Sequence, residues 1–166
     1  MAAASIALTD DLRQLAAQVV MVAGSRGISL GTAESCTGGL VAAAITSVTG
    51  ASSVFKGAIV SYANEVKSRQ LAVHELTLKE YGAVSEQTAR EMACGALRAL
   101  DVDMAVSVTG IAGPSGGSED KPVGTVWFCV ADDQEAVTRL EHFDGDREAI
   151  RLSATQAALR MLLERF

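Results

Sequence analysis

The sequence predicts an α/β protein: a three-layer α/β/α sandwich around a mixed, mostly parallel sheet. Three observations lead there. Helix-period and strand-like segments alternate through the first two-thirds of the chain. The run Met104–Thr109 is continuously apolar or small, as a central strand requires. Near the end, two strand patterns meet at Asp132-Asp133, a hairpin signal. At 166 residues, 49% of them apolar, the chain has the size and core content of one domain spanning residues 1–166.

The elements follow in order. Asp10–Gly27 reads as a helix because Leu12, Leu15, Ala16, Val19, Val22 and Ala23 recur at helical spacing. Thr9 can cap it, and Gly27 can stop it. Ile28–Ala33 is a short strand, followed by a polar turn and a small-residue helix over Thr37–Val48. Val54–Tyr62 is the next strand, with Asn64 as the cap of a helix through Leu71. A short helix is expected around Leu76–Tyr81. Ser85 caps a stronger one, with Ala89, Met92, Ala93, Ala96, Leu97 and Leu100 on one face. Beyond Met104–Thr109 comes a long glycine-rich loop, Gly110–Gly124, and loops of that length are often functional. Val123–Ala131 and Ala136–Phe143 form the hairpin. Asp146 caps a final helix with Ile150, Ala154, Ala157, Ala158 and Met161 inward.

Composition narrows the function. Fourteen basic and 20 acidic residues give −6, and no basic run or RNA-binding motif appears, so nucleic acid is not an expected partner. The opening MAAASIALTD lacks a basic start and a long apolar stretch, so no secretory leader is expected. No apolar run is long enough to span a bilayer, so no membrane partner is expected. Three cysteines without paired spacing point to reduced thiols and a cytoplasmic location. The two histidines, His74 and His142, are far apart, so neither a metal site nor a metal cofactor is expected. A homodimer is the default expectation for assembly.

Three loops should gather at strand carboxyl ends, where open α/β sheets bind ligands. The first carries Glu34-Ser35-Cys36-Thr37-Gly38-Gly39. A serine at a strand-to-helix turn can be an exposed nucleophile beside backbone N–H groups, or Ser35 or Thr37 can simply cap the helix. The second, Ser61–Lys67, places Lys67 near a helix N-terminus. Both that position and burial lower a lysine's pKa toward general-base range. A solvated surface lysine is the plainer reading. Tyr62 could orient it or relay a proton. The third loop, Val108–Pro114, brings Thr109 and Gly110, and lacks the Gly-Lys-Ser/Thr of a P-loop. Arg147 starts the last helix with Arg151 one turn on; a guanidinium there could clamp a phosphate or carboxylate, and a solvated helix-face arginine is the plainer reading. Cys36 competes as a nucleophile, but with so few histidines a Cys-His or Ser-His pair is hard to build. Ser-Lys is the variant this composition supplies.

The segments TAESCTGGLVAAAIT, FKGAIVSYANEVK, YGAVSEQTAREMA, AVSVTGIAGPSGG, KPVGTVWFCVA and GDREAIR, in this order, resemble the CinA C-terminal domain family. Its characterised members are nicotinamide-nucleotide amidohydrolases of Ser/Lys type. The resemblance implies Ser35 as nucleophile, Lys67 as base and Tyr62 beside it. It implies Thr109 and Arg147 as substrate-binding residues, with Arg151 as the possible substitute for Arg147. By their place in the same loops Thr37, Gly38, Gly39 and Gly110 are further substrate-binding candidates, with the N–H groups of Thr37–Gly39 as the candidate oxyanion site. A small nucleotide is the implied substrate and no cofactor is needed. Larger CinA proteins carry an N-terminal nucleotide-processing domain; this chain looks like the stand-alone form. The alternative from another class is a non-catalytic nucleotide-binding or competence-associated module.

Overall fold

The computed structural model describes residues 7–166; the first six, part of the segment weighed as a leader, lie outside the described residues. The chain runs α1 (Asp10–Arg26), β1 (Leu30–Glu34), α2 (Leu40–Thr46), a 3₁₀ turn (Ala51–Ser53), β2 (Phe55–Val60), α3 (Asn64–Leu71), α4 (Glu75–Tyr81), α5 (Glu86–Ala99), β3 (Met104–Gly110), β4 (Thr125–Ala131), β5 (Ala136–His142) and α6 (Arg147–Arg165). The sheet order is β2-β1-β3-β4-β5. β1 pairs in parallel with β2 and β3, whereas β3–β4 and β4–β5 are antiparallel. Four strands therefore share one direction and β4 runs against them, the mixed sheet the sequence suggested.

Helix ends obey their expected signals. The Thr9 hydroxyl accepts from Leu12 N–H, and Gly27 stops α1 at φ 66°. Ser85 caps α5 and Asp146 caps α6 through their side chains. Two expectations shift. The helix read from Thr37 begins only at Leu40, because Gly38 and Gly39 adopt left-handed φ of 61° and 95° that a continuing helix cannot accept. The residue before α3 is Ala63, without a side-chain cap, and Asn64 is already helical.

Helices α1, α2 and α6 cover one face of the sheet around Leu12, Val19, Ile45, Val106, Phe128, Ile150 and Leu159. Helices α3 and α5 cover the other around Ala33, Leu71, Met92, Ala96 and Ala105. The strand period of two assigns the faces. Met104, Val106 and Val108 of β3 join the α1–α6 core, whereas Ala105 packs toward α5 and the Ser107 hydroxyl donates to Ala89 O of α5 at 2.6 Å. Small residues on that second face let α5 lie close. The same closeness holds between helices: a Cβ on Gly95 of α5 would collide with the backbone of Leu71, the last residue of α3. Gly95 thus lets α3 dock on α5, and α3 carries Lys67.

Candidate active site

The carboxyl ends of β1, β2 and β3 meet where the chain order reverses, since β2 lies to one side of β1 and β3 to the other. Ligands of open α/β sheets bind at such a switch point. Ser35 prolongs β1 by one ladder bond, its N–H reaching Val108 O at 2.9 Å. Ser61 does the same for β2, its N–H donating to Glu34 O at 2.8 Å. A cleft of about 210 Å³ opens there, lined among others by Ser35, Tyr62, Lys67, Thr109, Gly110 and Arg147. A larger groove of about 610 Å³ between α3 and α4 gathers no comparable set of convergent groups.

Alternation along β1 sends two neighbours in opposite directions. Ala33 faces the α3–α5 layer, and Ser35 follows it to meet Lys67 of α3: Lys67 Nζ lies 3.0 Å from Ser35 Oγ. Lys67 is 1% exposed and is among the bulkiest fully buried side chains of the described residues. Its other partners are both acceptors, Ser61 O at 2.7 Å and Tyr62 O at 3.4 Å. A neutral amine has two N–H donors and one lone pair. Two carbonyls can take the donors, which leaves the lone pair for the Ser35 hydroxyl. Burial pushes the Lys67 pKa down from 10.5 to about 8, because charge is costly away from water. Lys67 is therefore no solvated surface lysine.

Glu34 takes the other side of the sheet, and its role was not foreseen from the sequence. It is fully buried beneath the turn into α2. Its two oxygens accept five hydrogen bonds: from Thr32 Oγ1 at 3.2 Å, Thr37 Oγ1 at 2.8 Å, and the N–H groups of Gly39, Val41 and Ala42 at 2.9, 3.1 and 2.8 Å. The carboxylate thus caps α2 from the preceding strand, the duty the sequence offered to Ser35 or Thr37. Within the turn Gly38 N–H bonds Ser35 O, Leu40 N–H bonds Thr37 O and Ala43 N–H bonds Gly39 O. Every N–H from Gly38 to Ala43 is therefore engaged. Those of Cys36 and Thr37 have no hydrogen-bond partner among the described residues. Of the proposed oxyanion donors Thr37–Gly39, only Thr37 has its N–H free, and Cys36 joins it.

The remaining site residues separate into those on the cleft and those behind it. Tyr62 turns its ring outward, 61% exposed, and its hydroxyl accepts from Arg147 NH2 at 2.9 Å. It touches Lys67 only through its carbonyl, so the expected proton relay through the phenol is not the arrangement found. Arg147 also donates from NH1 to Gly113 O at 2.8 Å, tying α6 to the glycine-rich loop. Arg151 sits behind the turn, donating to Thr37 O at 2.9 Å while its buried Nε has no partner among the described residues. Arg147, not Arg151, lines the cleft. Thr109 is buried with its hydroxyl on Ala83 O at 2.7 Å, and Gly110 lies close against Thr125 O and Val126. Cys36 is buried, and burial pushes its thiol up to about 12, against the depression a helix start would cause. A thiol so placed is protonated near neutral pH.

A buried lysine hydrogen-bonded to a serine at an α/β switch point can supply a hydroxyl nucleophile and a base beside it. The CinA C-terminal domain model matches residues 12–166, and the chain belongs to that family. It is 52% identical over 161 residues to the nicotinamide-nucleotide amidohydrolase PncC of Escherichia coli (strain K12), covering 96% of this chain and 98% of that protein. It is 49% identical over 136 residues to a CinA-like protein of Syntrophomonas wolfei, of which the match covers 33%. Among solved structures, the competence/damage inducible protein CihA of Agrobacterium tumefaciens superposes with a TM-score of 0.92 at 41% identity, covering 95% of this chain and 97% of that one. A competence-damaged protein (CinA) superfamily structure from Escherichia coli gives 0.91 at 34% identity, covering 98% and 96%. No described helix is long and apolar enough to cross a membrane.

Proposed function

We propose that this protein is an amidohydrolase that converts nicotinamide mononucleotide to nicotinic acid mononucleotide and ammonia, in pyridine nucleotide recycling. The relatives named for that activity support the substrate, and one observation carries the mechanism: Lys67 Nζ, buried and depressed to about 8, lies 3.0 Å from Ser35 Oγ. Neutral Lys67 takes the Ser35 proton as Oγ attacks the carboxamide carbon. The oxygen that gains charge is received by the free N–H groups of Cys36 and Thr37; in a strand-to-helix elbow the residue after the nucleophile normally supplies such a donor. Lys67 then gives its proton to the departing amine, and ammonia leaves. A water, deprotonated by Lys67, attacks the acyl-enzyme, and the acid and free Ser35 result.

Arg147 is the phosphate anchor in this reading. A guanidinium has five N–H donors, and the protein engages two, on Gly113 O and Tyr62 Oη. In a chain of net charge −6, a local cation at the cleft is what draws a nucleotide in. The test is ammonia release from the purified protein incubated with nicotinamide mononucleotide, with Ser35→Ala as control. Ammonia in the wild type alone supports the reading; its absence from a folded wild type refutes it.

A further inference from the structure

We propose that Glu34 is a positioning residue of the reaction: by holding the first turn of α2, its carboxylate leaves the Cys36 and Thr37 N–H groups as the donors for the oxyanion. The inference rests on the Ser35–Lys67 reading of the site. Helix α2 has Gly39 at its N-cap position, which offers no side-chain cap, and has no acidic residue in its first turn. Glu34 supplies the missing acceptor from five to eight residues upstream, reaching Gly39, Val41 and Ala42. Without it those three N–H groups would seek other acceptors, and the turn bearing Ser35 would lose its register. The carboxylate also answers the positive end of α2 from below. Stabilisation of the oxyanion is then left to the two N–H groups beside Ser35 and not to the helix as a whole.

The donor set is specific for a carboxylate. Oε2 meets the N–H groups of Gly39 and Val41, and Oε1 meets that of Ala42. A carboxamide placed either way would point an NH₂ at one or more of these N–H groups, which cannot rotate away. Glu34→Gln therefore preserves size but forces a donor against a donor. Arg151 holds the other side of the turn through Thr37 O, so the segment is fixed from both flanks and a disturbance on one shifts it.

The experiment measures the second-order rate of Ser35 labelling by a fluorophosphonate, alongside deamidation of the nucleotide. In labelling, Ser35 Oγ forms a bond to phosphorus, fluoride leaves and the hydroxyl proton passes to Lys67. The phosphoryl oxygen needs the same N–H donors, whatever the natural substrate. Folded Glu34→Gln should label at least tenfold more slowly and show a comparable fall in kcat, with KM within about twofold and the pH dependence of the rate unmoved. Labelling within twofold of wild type, or a change in KM alone, overturns the proposal even if the variant melts at lower temperature. Should Glu34→Gln fail to fold, Thr37→Val removes one donor to Glu34 and should slow labelling three- to tenfold; an unchanged rate also overturns it. A wild type that labels at Ser35 yet releases no ammonia removes the substrate reading and leaves the Glu34 comparison standing. A wild type that does not label at Ser35 removes both.

Discussion

Replacing Lys67 by methionine separates its chemical role from its structural cost. The gap between 10.5 and about 8 corresponds to about 3 kcal/mol of native-state penalty on the charged form. The sign follows from proton counting. Between pH 8 and 10.5 the unfolded chain holds a proton on Lys67 that the native protein has released, so this group makes stability rise with pH across that window. Below about pH 8 the full penalty is present; above 10.5 it is gone. Lys67→Met removes it but leaves the Ser61 carbonyl without its donor, a loss of about 1–3 kcal/mol. The variant should therefore be comparable to wild type or up to about 2 kcal/mol more stable at pH 7, and should lose about 3 kcal/mol of relative stability by pH 10.5. Urea unfolding of both proteins at several pH values measures this. In wild type, kcat/KM should rise through an apparent pKa near 8, with roughly a tenth of the enzyme competent at pH 7. Lys67→Arg keeps a charge that is not released near neutrality, so it should be as inactive as Lys67→Met. A stability difference flat from pH 7 to 10, or near-native turnover by Lys67→Arg, would refute the assignment of Lys67 as a buried neutral base.

Other outcomes follow from the same geometry. Ser35→Ala should fold and bind the nucleotide but turn over less than about a thousandth as fast as wild type, measured by ammonia release. Cys36→Ser should keep most activity, because a thiol held near 12 by burial is no nucleophile at neutral pH; complete loss would transfer the attack to Cys36. Arg147→Ala should raise KM for the phosphorylated nucleotide more than it lowers kcat, whereas Tyr62→Phe, which removes only the acceptor of Arg147, should raise KM by a few-fold at most. Gly95→Ala should lower the melting temperature and kcat together, because a methyl there pushes α3 and Lys67 away from Ser35.

Much of the fold was legible because its signals are local. The α1 boundaries follow from Thr9 and Gly27, α3 ends at Leu71 as read, and the β4–β5 hairpin turns at Asp132-Asp133. What escaped is long-range. Gly95 lies in an ordinary helical pattern, and nothing in its neighbourhood tells that a second helix end will rest on it. The start of α2 was misjudged because Thr37 is a good cap by residue type, while the two glycines after it adopt a conformation only the folded turn reveals.

The site shows the same division in sharper form. The sequence offers two causes for a lowered Lys67 pKa, a nearby helix N-terminus and burial; Lys67 is the fourth residue of α3, and burial is the cause that depresses it. Lys67 still meets Ser35, because the loops at strand ends converge whatever the exact register. Tyr62 is offered by the sequence as an orienter of Lys67 or a proton relay because both lie in the loop Ser61–Lys67. That loop brings only its carbonyl to Lys67, since the end of β2 turns the ring to solvent and to Arg147. Glu34 was passed over although it touches Ser35 in the chain. The expected capping pattern looks for an acid three residues after a Ser or Thr, not for one on the strand before the turn. A signal was nonetheless present: an acidic residue closing an otherwise small and apolar strand, GTAE, must be buried, and a buried carboxylate requires donors. The N–H groups of the turn that follows are donors within its reach. Strand alternation then completes the inference, because if Glu34 goes to the α2 side, Ser35 must go to the α3 side, where the lysine is.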